Sequence, residues 1–167
     1  GSLGTLLAKN LKKNYIVFTD QKIKKKLKSS SDYKVLYKII SKQKPNYVIN
    51  LIALTNVDKC EKKKFLADKS NFVFVKNLTK SISMIKNKIR LIHISTDQVY
   101  NGRGKHDEKH VQPINYYGLS KLKGERAIKK IPSIILRTNF FGKTKKKENL
   151  CNWIFKNVKN KKKINTF

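Results

Sequence analysis

Tyr117 and Lys121 stand four residues apart in YYGLSKLKGE, a spacing that puts both side chains on one face of a helix. A free phenol has a pKa of about 10 and is almost wholly protonated at neutral pH. An ammonium beside it favours the phenolate and is expected to lower that value. A phenol so tuned passes a proton to or from a carbonyl or alcohol oxygen. The spacing alone is thin evidence in a chain with 7 tyrosines and 40 lysines plus arginines. The elements that must hold the pair decide its weight.

Those elements read as alternating strands and helices. Gly1 to Gly4 open an amphipathic helix with Leu6, Leu7 and Leu11 inward, and residues 15–20 form a short β-branched and aromatic run. Tyr33, Leu36, Tyr37 and Ile40 make a helical stripe that stops before Pro45. Residues 47–52 read as a buried strand. A long helix over about 61–86 carries Phe65, Phe72, Leu78, Ile82 and Ile85. Residues 90–96 are the next strand and 97–115 a polar loop. The Tyr117 helix leads to a strand at 133–138 and a last helix at about 149–157. Strands apolar along their length and separated by helices predict a parallel sheet covered on both faces, the doubly wound α/β class. Ligands of such sheets sit beyond the carboxyl ends of the strands. Asp20, Ala53, Thr55, Thr96, Asp97, Asn139 and Phe140 all fall at those ends.

The segments GSLG, PNYVINLIALTNVDKCE, HISTDQVYNG, PINYYGLSKLKGE and ILRTNFFG resemble the extended short-chain dehydrogenase/reductases, and among them the dTDP-4-dehydrorhamnose reductase family. Tyr-x-x-x-Lys marks the superfamily. STDQVYNG with NYYGLSKLKGE and LRTNFFG is more specific, and the likeness runs along nearly the whole chain.

The resemblance implies a Rossmann-like fold and a role for each matching residue. Gly1, Ser2, Leu3 and Gly4 match the second half of the glycine-rich turn that receives a dinucleotide pyrophosphate, where backbone N–H groups approach the phosphates. An ordinary tight turn is the plainer reading. Asp20 matches the carboxylate that holds the adenosine ribose, and is otherwise a loop acid or helix cap. Asp32 and Tyr33 match the adenine segment, although Asp32 is also a natural N-cap. Ala53, Leu54 and Thr55 match the loop lining the cofactor's middle. Ile52 departs from the alanine common in the family. Thr96 matches the hydroxyl that holds the substrate carbonyl; Ser95 is its neighbour and points the other way. Asp97 and Phe140 would face the sugar nucleotide. Asn71 matches a position that relays protons, or is structural. The implied reaction uses NADPH or NADH to reduce C4 of a 4-keto-6-deoxy sugar nucleotide, with Tyr117 as acid, Lys121 tuning it and holding the nicotinamide ribose, and Thr96 orienting the carbonyl. Two rivals share the scaffold: a sugar-nucleotide epimerase or dehydratase, and a non-catalytic binding subunit like the regulatory subunit of methionine adenosyltransferase.

Residues 1–142 read as an NAD(P)-binding domain that begins after its first strand, and 143–167 as the start of a substrate-binding part. The expectation is therefore a fragment, inactive by itself, of a longer protein for which the resemblance leaves room for a homodimer. The net charge of +30 raises nucleic acid as a partner, but the lysines cover every helix and loop and no aromatic-basic strand motif accompanies them. An A+T-rich coding bias explains such lysine. Cys60 and Cys151 lack metal or redox spacing, which together with the family points to a cytoplasmic protein with reduced thiols. His106 and His110 share a loop without a third ligand, so no metal site is expected, and His93 reads as a packed core residue. No apolar stretch is long enough for a membrane span.

Overall fold

The computed structural model describes residues 2–11, 32–86, 88–128 and 131–139, with the isolated positions 156, 159 and 160. The expected strand at 15–20 and nearly all of the helix at 149–157 lie outside the described residues.

Helix α1 (Ser2–Asn10) turns Leu3, Gly4, Leu7 and Ala8 inward. Leu6 lies off that stripe and Leu11 falls past the last helical residue, so both are exposed, contrary to the sequence expectation. Helix α2 (Tyr33–Gln43) starts where the Asp32 carboxylate accepts the Lys34 N–H at 2.9 Å. It ends at Lys44, whose left-handed backbone (φ 46°) lets its N–H reach the Ile40 carbonyl one residue before Pro45. Leu36 and Ile40, four apart, are buried on one face.

Strands β1 (Tyr47–Asn50), β2 (Arg90–Thr96) and β3 (Ser133–Thr138) form a parallel sheet in that spatial order. Ile49 pairs with Ile92 and Asn50 with His93 on one side of β2, and Thr96 with Thr138 on the other. β2 is therefore the middle strand, and Leu91, His93, Ser95 and Thr96 are buried. Expecting every strand to be covered on both faces overstates the outcome. Ile134, Ile135 and Leu136 of β3 are exposed by 37% to 45%, because β3 pairs with β2 alone among the described residues.

The single long helix expected over 61–86 is a chain of shorter ones: α3 (Val57–Lys62), α4 (Lys64–Asp68), a π-helical turn (Lys69–Val73) and α5 (Phe74–Ser83). The Asn56 side chain caps α3, and Lys63 breaks the path at φ −132° and ψ 61°. Phe65, expected inward, is consequently 76% exposed. The π turn rotates Asn71 into the interior, where it is fully buried; such widened turns recur at functional sites. Beyond it Phe74, Val75, Leu78 and Ile82 pack with Leu36, Ile40, Ile89, Leu91 and Ile128 into the main core.

Helix α6 (Tyr116–Arg126) packs on β2 and against the π turn. The Asn115 side chain caps it by accepting the Gly118 N–H at 2.8 Å. Two glycines set how closely it approaches. A Cβ on Gly118 would lie 2.2 Å from the Gln98 carbonyl oxygen, and one on Gly124 would lie 2.2 Å from that of Asn71. Among the described residues no helix is long and apolar enough to cross a membrane.

Candidate functional site

The carboxyl ends of β1 and β2 and the first turns of α6 converge on one rim. Strand β2 runs directly into a 3-10 turn (Asp97–Val99), and Thr96 caps that turn by accepting the Gln98 N–H at 3.2 Å. Its hydroxyl donates to the exposed Asp97 carboxylate at 3.2 Å. The same side chain opposes the rise of the Tyr117 pKa. Ser95, the alternating neighbour, donates instead to the buried Glu125 carboxylate. Ser95 is thus committed to Glu125, and Thr96 is the hydroxyl left at the rim.

Burial dominates at Tyr117. The ring is 8% exposed and sits in a cluster with Cys60 and Ala67, flanked by Leu54, Val57 and Tyr116. Desolvation pushes the phenol pKa up; the Thr96 hydroxyl partly offsets this, while Cys60 and Asp97 add to it. This corrects the sequence expectation that Lys121 pulls the value down. The Lys121 amine donates to the Ile94 carbonyl at 2.6 Å and lies 3.4 Å from the His93 ring. It shares the face of α6 with Tyr117, but it is tied to the β2 backbone. Burial lowers the Lys121 pKa to about 8, against the stabilising pull of Glu125.

Asn71 joins the helices to the loop after β1. Its Oδ1 accepts the Leu54 N–H at 2.8 Å, and its Nδ2 donates to the Leu54 carbonyl at 3.0 Å and to Ser120 Oγ at 2.9 Å. Ser120 in turn donates to the Tyr117 carbonyl at 2.8 Å. The amide is a clamp between the Ala53–Leu54–Thr55 loop and the Tyr117 helix. Ala53 and Leu54 are half-buried and Thr55 exposed. Ser2, Leu3 and Gly4 form the first turn of α1, and a Cβ on Gly4 would lie 3.4 Å from the Leu51 side chain. Asp32 and Tyr33 start α2; the Asp32 carboxylate is engaged as the cap, and the Tyr33 ring lies under the Lys80 ammonium at 3.8 Å. Gly1, Asp20 and Phe140 lie outside the described residues.

Sequence reasoning missed Asn50, Ser120 and Glu125 as residues that hold the site, and placed His93 in the core without its link to Lys121. Asn50 and His93 are buried neighbours of Lys121, joined at 3.0 Å, and burial takes the His93 pKa down to about 3. Ser120 links Asn71 to the tyrosine. Glu125 receives Ser95 and a bidentate Arg137, whose Nη1 also binds Tyr100 and the Glu108 carbonyl. The available signal was a lone polar residue within otherwise apolar strand runs, as at Asn50 and His93. His106 stacks on Tyr100 with ring centroids 5.0 Å apart, and exposed His110 lies 3.5 Å from Asp107. Among the described residues no group of three or more metal-ligating side chains gathers.

Over residues 1–167 the sequence matches the model of the RmlD substrate binding domain. The chain belongs to that family. It is 36% identical over 111 residues to a dTDP-4-dehydrorhamnose reductase of Aggregatibacter actinomycetemcomitans, covering 64% of this chain and 37% of that one. It is 30% identical over 147 residues to the spore coat polysaccharide biosynthesis protein SpsK of Bacillus subtilis, covering 84% and 50%. The crystal structure of the Bacillus anthracis dTDP-4-dehydrorhamnose reductase in complex with NADP superposes with a TM-score of 0.77 at 29% identity, over 95% of this chain and 56% of that one. The fold is thus the Rossmann-type α/β fold of these reductases. The chain spans half or less of the length of these two curated relatives.

The donor set of the rim suits a nicotinamide dinucleotide. The first turn of a helix lies near a clamped backbone loop, and a buried ammonium stands one helical turn from a phenol. The first turn of α1 would hold phosphate, the Ala53–Thr55 loop would line the middle of the cofactor, and Lys121 would meet the ribose beside the nicotinamide.

Proposed function

We propose that the protein carrying this chain reduces the 4-keto group of a 6-deoxy sugar nucleotide with NADPH or NADH, in the manner of dTDP-4-dehydrorhamnose giving dTDP-L-rhamnose. The observation that carries this reading is the burial of Tyr117 and Lys121 one helical turn apart on α6, beside the carboxyl end of β2 where Thr96 caps the 3-10 turn. The Thr96 O–H donates to the ketone oxygen and fixes its orientation. The Tyr117 phenol gives its proton to the same oxygen as it becomes an alkoxide. Its raised pKa keeps that proton in place at neutral pH until stronger basicity develops on the substrate. Lys121, one helical turn along from Tyr117 and tied to the β2 backbone, is assigned to the nicotinamide ribose. The nicotinamide, when bound, supplies the hydride. Asp97, exposed at the mouth, and Phe140 are assigned to the sugar nucleotide. Family membership and the likeness to an NADP-bound reductase support the choice of cofactor.

The test is incubation of the protein with dTDP-4-dehydrorhamnose and NADPH or NADH, following loss of reduced-nicotinamide absorbance and the product sugar. Stoichiometric cofactor oxidation with formation of a 4-hydroxy sugar is the expected result. Conversion of a nucleotide sugar without net cofactor consumption would move the protein to the epimerases. Cofactor binding with no turnover of any keto sugar would make it a binding subunit.

A further inference from the structure

Three buried polar groups line up from β1 to α6: the Asn50 amide, the His93 imidazole and the Lys121 amine. Their hydrogen-bond directions are fixed from one end. Asn50 Oδ1 accepts the Ile52 N–H at 3.0 Å, so Nδ2 is the atom facing His93 Nδ1, also at 3.0 Å. An amide nitrogen donates only, so Nδ1 must be the bare acceptor of the ring. A neutral imidazole then carries its proton on Nε2, the atom 3.4 Å from Lys121 Nζ. A charged ammonium also donates only. Two donors therefore face each other, and the ammonium hydrogens turn to the Ile94 carbonyl at 2.6 Å.

We propose that Asn50 and His93 are positioning residues for Lys121: they present an N–H to its amine, hold the ammonium against Ile94, and accept it as a partner only once it has released a proton. On release the proton leaves to solvent, and the freed nitrogen lone pair accepts the His93 Nε2–H. No proton passes to the ring. The strong burial of both groups agrees with this, since His93 stays neutral well below neutral pH and Lys121 gives up its charge near pH 8. Glu125 is the charged group that opposes the release, and its own carboxylate is held by Arg137 from β3 and Ser95 from β2. The catalytic consequence rests on the reductase reading: a neutral Lys121 no longer offers a charged donor to the nicotinamide ribose, so the alkaline limb of activity reports the pair.

The discriminating substitution is Asn50→Asp. A carboxylate keeps the Ile52 N–H bond but accepts from His93 Nδ1–H, which moves the ring proton off Nε2 and gives Lys121 an acceptor. In the full-length protein labelled with 15N-histidine, the His93 resonances are identified by their loss in His93→Gln. Wild type is expected to show a neutral ring protonated at Nε2, and Asn50→Asp the opposite tautomer. The alkaline limb of kcat/KM is then expected to rise by about one pH unit in Asn50→Asp. A wild-type ring protonated at Nδ1, a doubly protonated ring at neutral pH, or an unmoved alkaline limb in a folded and active Asn50→Asp overturns the proposal. A protein with the expected tautomers but no keto-sugar reduction loses the reductase reading and keeps the hydrogen-bond assignment.

Discussion

At the scale of single residues the site is governed by desolvation more than by neighbouring charge. Tyr117 is the clearest case, since its pKa moves up although a lysine shares its helix face. Removing the phenol O–H therefore removes the acid and leaves the cavity shape. Tyr117→Phe is expected to lower turnover by about 10²–10⁴ while reduced cofactor still binds, measured by steady-state rates and by nicotinamide fluorescence titration. Near-normal turnover would remove Tyr117 from its role. His93 gives a stability prediction whose sign follows from the direction of its shift. Its folded pKa of about 3 lies below the ordinary 6.5, so between those values the unfolded chain binds a proton that the folded ring refuses. Stability is accordingly lost as pH falls through that window, by about 1.4 kcal/mol per pH unit at most. Urea unfolding at pH 7 and pH 5 should show wild type losing about 2 kcal/mol more than His93→Gln. Equal losses would mean that the ring charges in the folded state.

At the scale of elements, the sequence located the three strands, α2 and α6 well, because their apolar spacing and caps are local. Leu36 with Ile40, Asp32 as a cap, and the whole of β2 are legible from neighbours in the chain. The break at Lys63 and the π turn were not. Both answer to tertiary demands: the loop after β1 needs a partner for Leu54, and Asn71 can reach it only from a widened turn. Gly118 and Gly124 were read only as part of a motif, since their reason is a backbone from another element lying where a Cβ would be. This makes Gly118 a test of how α6 seats on the turn after Thr96. Gly118→Ala must push the helix from the Gln98 carbonyl and so separate the phenol from the Thr96 hydroxyl. A stability loss of about 1–3 kcal/mol is expected from overpacking. The loss in kcat should be larger than that in cofactor affinity, since the α1 turn and the Leu54 loop are untouched. Thermal unfolding together with kcat and Kd checks this, and an unchanged kcat would show that the contact does not set the catalytic distance.

At the scale of the whole molecule the dominant quantity is charge. Ten acidic residues stand against 40 basic ones, a net +30, and several of the acids are already engaged inside the fold. Asp68 holds Lys123, Glu125 holds Arg137, and Glu61 accepts the Tyr116 N–H. The field outside the rim is therefore positive and little compensated. A dinucleotide phosphate and a nucleotide sugar are both anions, so a field of this sign raises their encounter rate without any specific contact. Such steering acts between exposed charges and is screened over about 10 Å at 0.1 M salt. The contacts proposed to retain a bound cofactor, namely the α1 turn, the Leu54 loop and buried Lys121, would be short-ranged and less screened. Salt should thus act on arrival more than on departure. Stopped-flow mixing with NADPH is expected to show the association rate constant falling about tenfold or more between low and high ionic strength, with dissociation changing far less. If dissociation carried the salt dependence instead, the lysines would be direct phosphate ligands, and the rim would extend over surface now assigned only to the field.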